Sequence, residues 1–179
     1  MQQILHPAIQ LSLAAVALVA AITDFRSRLI PNWLIVVGLV AGLSLNVVFG
    51  GWQGLLASVL GFGLALLIYV PLFILRAMGG GDVKLMAAIG CMVGPQNWFQ
   101  VFLLASLVGG IYAVCLLTFR NAAGGAFWNI WHIIKELVQL RLPFKSKPEL
   151  DIGHEKALSV PHAVSIAVGA ILFLYLQRS

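Results

Sequence analysis

The sequence predicts an all-α protein, a polytopic bundle of membrane-spanning helices, and three observations predict it. The chain of 179 residues is 61% hydrophobic and 9% charged, where soluble domains carry about 25% charged residues. Its mean hydropathy is +0.99. Its apolar residues fall in long runs, and crossing hydrocarbon takes about 20 residues. We read six spans and one helix lying in the interface, in a single membrane domain over residues 1–179.

The first span is "HPAIQLSLAAVALVAAIT", residues 6–23. It lacks the basic start of a signal peptide and runs at once into charges and a second apolar run, so it is expected to be retained. The second, "PNWLIVVGLVAGLSLNVVFG", covers 31–50, and the third, "WQGLLASVLGFGLALLIYVPLFIL", covers 52–75. A short fourth, "VKLMAAIGCMVG", covers 83–94; the fifth covers 97–119 and the last 157–176. In the connection 120–156, Phe127, Ile130, Trp131, Ile134, Leu137 and Val138 recur at helical spacing, with Asn129, His132, Lys135, Glu136 and Gln139 mostly opposite. Such a segment lies in the membrane surface with its apolar face in lipid.

The basic residues orient the bundle. Arg26 and Arg28, then Arg76 and Lys84, then Arg120, Lys135, Arg141, Lys145, Lys147 and Lys156 fall in the connections after odd-numbered spans, leaving Arg178 alone on the other side. Short loops rich in Lys and Arg stay in the cytoplasm. Both termini are therefore expected outside. The formal charge of +5 then reflects topology and anionic lipid, not a nucleic-acid partner.

The acids are sparser still. Only Asp24 and Asp82 occur in the first 119 residues. Asp24 ends the first span and Asp82 opens the fourth, so the basic residues alone put both at the cytoplasmic surface. Two carboxylates at one depth can share a proton, and such a pair activates water with one member while the other protonates a carbonyl. Gly79, Gly80 and Gly81, beside Asp82 in "RAMGGGDVKLM", can take positive φ and admit a second backbone; Lys84 would hold an anionic group or anchor at the interface. A plainer account stands beside this. Asp24 is then a helix-end acid paired with Arg26 or Arg28, Asp82 an N-cap, and the glycines a turn.

At these residues the chain resembles the bacterial type IV prepilin peptidases, a branch of the GxGD-type membrane aspartic proteases. Gly79, Gly81 and Asp82 match G-x-G-D, followed by Val83 and Lys84; Asp24 in "TDFRSRLIPNWL" matches the first aspartate of the family; "SVPHAVSIAVGA", with Pro161, resembles its final helix. The resemblance implies an endopeptidase of the bacterial inner membrane that removes the basic leader of prepilins or pseudopilins at the cytoplasmic surface. Asp24 and Asp82 would be catalytic, with no cofactor and no metal. Gly79, Gly80, Gly81, Lys84 and Pro161 would line the site, and pilus or secretion machinery would be a partner. Only residues 24–30 separate the first two spans, with none of the paired CxxC motifs of the long forms. The chain is thus similar to the short form of tight-adherence (Flp) pili, without methyltransferase activity. Two readings of other classes compete: an ion- or proton-coupled transporter, and a non-catalytic assembly factor.

The remaining polar residues are expected to be structural. Cys91 and Cys115 are packing residues on opposite faces. His6, His132, His154 and His162 are scattered without ligand spacing, though His162, beside Pro161, is a candidate to border the cavity. Trp33, Trp52, Trp98, Trp128 and Trp131 fall near interfaces, Ser44, Ser58, Ser106 and Ser165 suit helix packing, and Gly61, Gly63, Gly109 and Gly110 suit close helix contact.

Overall fold

The computed structural model describes residues 5–75, 78–119 and 162–178. They form four helices: α1 Pro7–Ser27, α2 Asn32–Ile74, α3 Gly80–Phe119 and α4 His162–Leu176. The interfacial helix expected within 120–156, and residues 157–161 of the last span, lie outside the described residues.

Local chemistry sets the helix ends. Pro7 opens α1, where its missing N–H costs nothing, and the Nδ1 of His6 accepts from the Ala8 N–H at 3.3 Å. Arg28 ends α1 in the left-handed region (φ 53°, ψ 29°), its N–H donating to the Asp24 carbonyl at 2.8 Å. Pro31 follows with extended backbone (φ −64°, ψ 136°) and starts α2 at the next residue.

α2 has 43 residues and α3 has 40. Straight, each would run about 60 Å or more, twice the hydrocarbon thickness. One glycine breaks each: Gly51 (φ 55°, ψ −136°) and Gly94 (φ 75°, ψ 172°). Only glycine takes such angles without strain. Both breaks reverse the chain. Gly54 sits against the backbone of Asn46 with no room for a Cβ, although eight residues of straight helix would separate them by about 12 Å. The indole Nε1 of Trp98 donates to the Met86 carbonyl at 3.0 Å, across a span that straight helix would stretch to about 18 Å. α2 is thus a hairpin of limbs 32–50 and 52–74, and α3 one of limbs 80–93 and 95–119. The breaks fall where the sequence separates the second from the third apolar run and the fourth from the fifth.

Limb 80–93 is the centre of the bundle. Leu85, Met86, Ala88, Ile89 and Met92 have no exposed surface, as expected of a helix apolar on every side. α1, α2 and α4 pack around α3. The limb reaches about 21 Å, so it is short of the bilayer. It is held by protein instead, starting at Gly80 and not at 83. Close approach is made by bare backbone: a Cβ at Gly61 or at Gly90 would strike the carbonyl oxygen of the other, and one at Gly42 would lie 2.8 Å from Met92 Cγ. The other glycines expected at helix contacts differ. A Cβ on Gly109 would meet Ser165 at an ordinary 3.6 Å, and Gly63 and Gly110 face open space.

The outer surface stays apolar, with Leu11, Val36, Val40, Leu60, Leu67 and Leu107 exposed, the surface that lipid covers. Trp33 and Trp52 are exposed too, but Trp98 does not present its ring to lipid. It is fully buried and stacked on Phe102 at 5.6 Å, because its one polar atom finds the Met86 carbonyl.

Candidate active site

The hairpins bring four chain segments to one end of the bundle: the end of α1, the starts of α2 and α4, and the turn from α2 into α3. The breaks at Gly51 and Gly94 lie at the other end. Asp24 and Asp82 are on the first end.

Asp24 stands in the last turn of α1 and is only 8% exposed. Its Oδ2 accepts from the backbone N–H of Ala163 at 3.1 Å. Ala163 is the second residue of α4, where N–H groups lack an intrahelical acceptor. Asp24 therefore caps a helix 139 residues away. Arg26 and Arg28, its expected alternative partners, are exposed.

Asp82 is the third residue of α3, inside the first turn and not at the N-cap. It is half-buried, with the Gly79 backbone donating to its carboxylate. A first-turn acid also suits the positive end of the helix. The two carboxylates are close enough to interact directly through their charges.

The glycine run does not use the positive φ open to it. None of Gly79, Gly80 and Gly81 has a positive φ. A Cβ on each would meet Asp82 Oδ2, Phe73 and Ile30 respectively at about 3.4 Å, an ordinary contact. The run thus leaves unadorned backbone beside Asp82.

Two contacts tie the Asp24 connection to the Asp82 turn. Ile30 occupies the side of Gly81 where a Cβ would come within 3.4 Å of it, and Lys84 Nζ donates to Asn32 Oδ1 at 3.0 Å. His162, at the start of α4, is half-buried near Asp24; Pro161 lies outside the described residues. Tyr69 lies within reach of the Asp82 charge, almost fully buried and edge-on to Trp98 and Phe102, with centroids 6.1 and 6.0 Å away. Sequence reasoning missed Tyr69, since a single tyrosine in an apolar run carries no motif. Asn32 was legible only as part of the stretch "TDFRSRLIPNWL". Among the described residues no three His, Cys, Asp or Glu side chains could hold a metal, and Cys91 and Cys115 are free.

Fold and site together define a helical membrane bundle with two acids meeting at one end from separate helices. Residues 11–114, which include both aspartates, match the type IV leader peptidase family, and the chain belongs to that family. It is 33% identical over 109 residues to a prepilin leader peptidase/N-methyltransferase of Bacillus subtilis (strain 168), covering 59% of this chain and 43% of the relative. A protein of the same name from Escherichia coli (strain K12) is 32% identical over 131 residues, 69% of this chain and 58% of the relative. A preflagellin peptidase of Methanococcus voltae is 30% identical over 89 residues, 48% of this chain and 37% of the relative. The chain thus spans about half the length of the curated relatives it matches. No solved structure matches it.

Proposed function

We propose that this protein is an aspartic endopeptidase that cuts the basic leader from a prepilin or pseudopilin, with Asp24 and Asp82 activating water. The observation that carries the reading is that these two carboxylates, 58 positions apart in sequence and on separate helices, come within reach of each other's charge at one end of the bundle. Family membership and the names of the relatives support the substrate class.

The pair holds one proton. The ionised carboxylate takes a proton from water as the hydroxide oxygen bonds to the scissile carbonyl carbon. The protonated carboxylate gives its proton to the carbonyl oxygen, and a gem-diol forms. On collapse, one diol hydroxyl returns a proton to the pair, the nitrogen gains one, and the C–N bond breaks. The pair ends with one proton again. The bare backbone of Gly79–Gly81 offers its peptide groups beside Asp82 to an extended substrate, with Lys84 at the same end, and the family resemblance adds Pro161 to the lining.

The basic residues favour a cytoplasmic active site at the inner membrane of a bacterium, with both termini outside. The short connection between Asp24 and Asn32 favours the peptidase-only form, without methyl transfer. Pilus or secretion machinery is the proposed setting.

Co-expression with a candidate prepilin tests the reading through the N-terminus of the product. Asp24→Asn and Asp82→Asn each lower cleavage by at least about 10³-fold, near the upper end of what acid–base groups supply, while the protein stays in the membrane. A purified double Asn variant that still processed the prepilin would refute the two-aspartate mechanism.

A further inference from the structure

The two aspartates do not meet unaided. Asp24 sits at the end of α1, and six residues later the chain re-enters helix through Ile30, Pro31 and Asn32. Asp82 sits in the first turn of α3, flanked by Gly81 and Lys84. The two segments touch at three places. Asp24 and Asp82 lie within reach of each other's charge, Ile30 fills the space where a Cβ on Gly81 would reach, 3.4 Å away, and Asn32 accepts from Lys84 at 3.0 Å across 52 residues.

The Lys84 bond is the informative one. Lysine at a membrane surface ordinarily reaches for water or lipid phosphate. Lys84 is exposed, yet its ammonium is directed to a neutral amide oxygen on another helix. Such charge-assisted bonds are stronger than neutral ones. Asn32 is the first residue of α2, where Pro31 offers no side-chain cap. The bond ties the start of α2 to the first turns of α3, two residues beyond Asp82.

We propose that Asn32 and Lys84 form a positioning pair that holds the Asp24 segment in register with the Asp82 turn. Neither touches the reacting atoms in this proposal. It rests on the peptidase reading for its catalytic consequence, but the register is measurable without cleavage.

The first test needs no substrate. A Cβ built on Gly81 lies 3.4 Å from Ile30 Cβ, near the roughly 3.8 Å mean Cβ separation of a disulfide. In a background carrying Cys91→Ala and Cys115→Ala, Ile30→Cys with Gly81→Cys oxidises readily in native membranes. Adding Lys84→Met or Asn32→Leu slows that oxidation about fivefold or more, and adding Asn32→Asp, which keeps an acceptor for the ammonium, does not. A pair that fails to oxidise, or oxidises equally with and without Lys84, overturns the proposal.

The second test measures cleavage of a prepilin-type peptide with a basic leader and an apolar helix. Lys84→Met and Asn32→Leu each lower kcat about tenfold or more with KM within about twofold, since small misplacements of reacting groups are costly. The double variant falls no further than the worse single, the signature of two residues acting through one contact. Asn32→Asp keeps most of kcat. Losses that multiply, or that fall on KM alone, overturn the pair as a positioning device. A wild type that does not cleave would instead sink the peptidase reading, and the oxidation test would still decide the register.

Discussion

At the residue scale, Asp24 carries two duties that substitution can separate. Its carboxylate is proposed to act on water, and it also caps α4 through Ala163. Asparagine keeps an acceptor oxygen for that N–H; alanine does not. Asp24→Asn is therefore expected to lose activity with nearly unchanged thermal stability. Asp24→Ala is expected to lose activity and about 1 kcal/mol more of stability, the usual cost of a lost cap. Thermal unfolding of the two detergent-solubilised variants checks this, and equal melting temperatures would contradict the cap. Tyr69 belongs to the same scale. It is buried beside Asp82 with its ring fixed by Trp98 and Phe102, yet nothing in the local sequence distinguishes it. Asp24 and Asp82 were legible because acids are rare in this chain, whereas tyrosines in apolar runs are unremarkable. The Asn32–Lys84 bond was illegible for another reason: each residue alone reads as a helix-start or interface residue, and only folding shows that one faces the other.

At the element scale, single glycines turn two helices too long for the bilayer into hairpins. Gly94→Ala places a side chain in a left-handed conformation and is expected to cost about 1–3 kcal/mol. The comparison of Gly61 with Gly63 is sharper, because both lie in the same limb. Gly61→Ala drives a methyl into the Gly90 carbonyl and forces the limbs apart, whereas Gly63→Ala meets open space. The first variant is expected to unfold at lower temperature and the second to match or exceed wild type; the reverse order would show that the limbs do not cross at Gly61. The sequence suggested both glycines as helix contacts, since spacing alone cannot tell which of two positions on one helix faces a partner. The fourth element shows the same limit. Hydropathy marks 83–94 as apolar but cannot separate lipid-facing from protein-facing burial, so the limb looked too short for its task. Enclosure by α1, α2 and α4 removes the need to span.

At the scale of the whole molecule, the hairpins decide which ends share a side. The connection after Asp24 and the turn before Asp82 share one end, and Gly51 with Gly94 share the other. In intact cells, a membrane-impermeant thiol reagent is expected to label Gly50→Cys but to reach Leu29→Cys only after permeabilisation, on a cysteine-free background. Equal labelling from one side would contradict the proposed orientation. The paired carboxylates make a further demand. Cleavage that needs one proton on the pair fails when both acids are protonated and when both are ionised, so kcat/KM against pH is expected to be bell-shaped, its two limbs belonging to the pair and not to either residue. A profile flat across both limbs would exclude a shared proton.

The sequence alone determined that the chain is an all-helical membrane protein, where its apolar runs break, and which two acids stand out at one surface. Those conclusions follow from composition and spacing, because transfer into hydrocarbon acts on each run by itself and excludes charge wherever it can. Only the tertiary structure decided that α4 docks on Asp24, that limb 80–93 is sheathed by protein, and that Lys84 reaches Asn32. These contacts join residues dozens to more than a hundred positions apart. Their free energy exists only when separate helices meet, so no local stretch of sequence carries it.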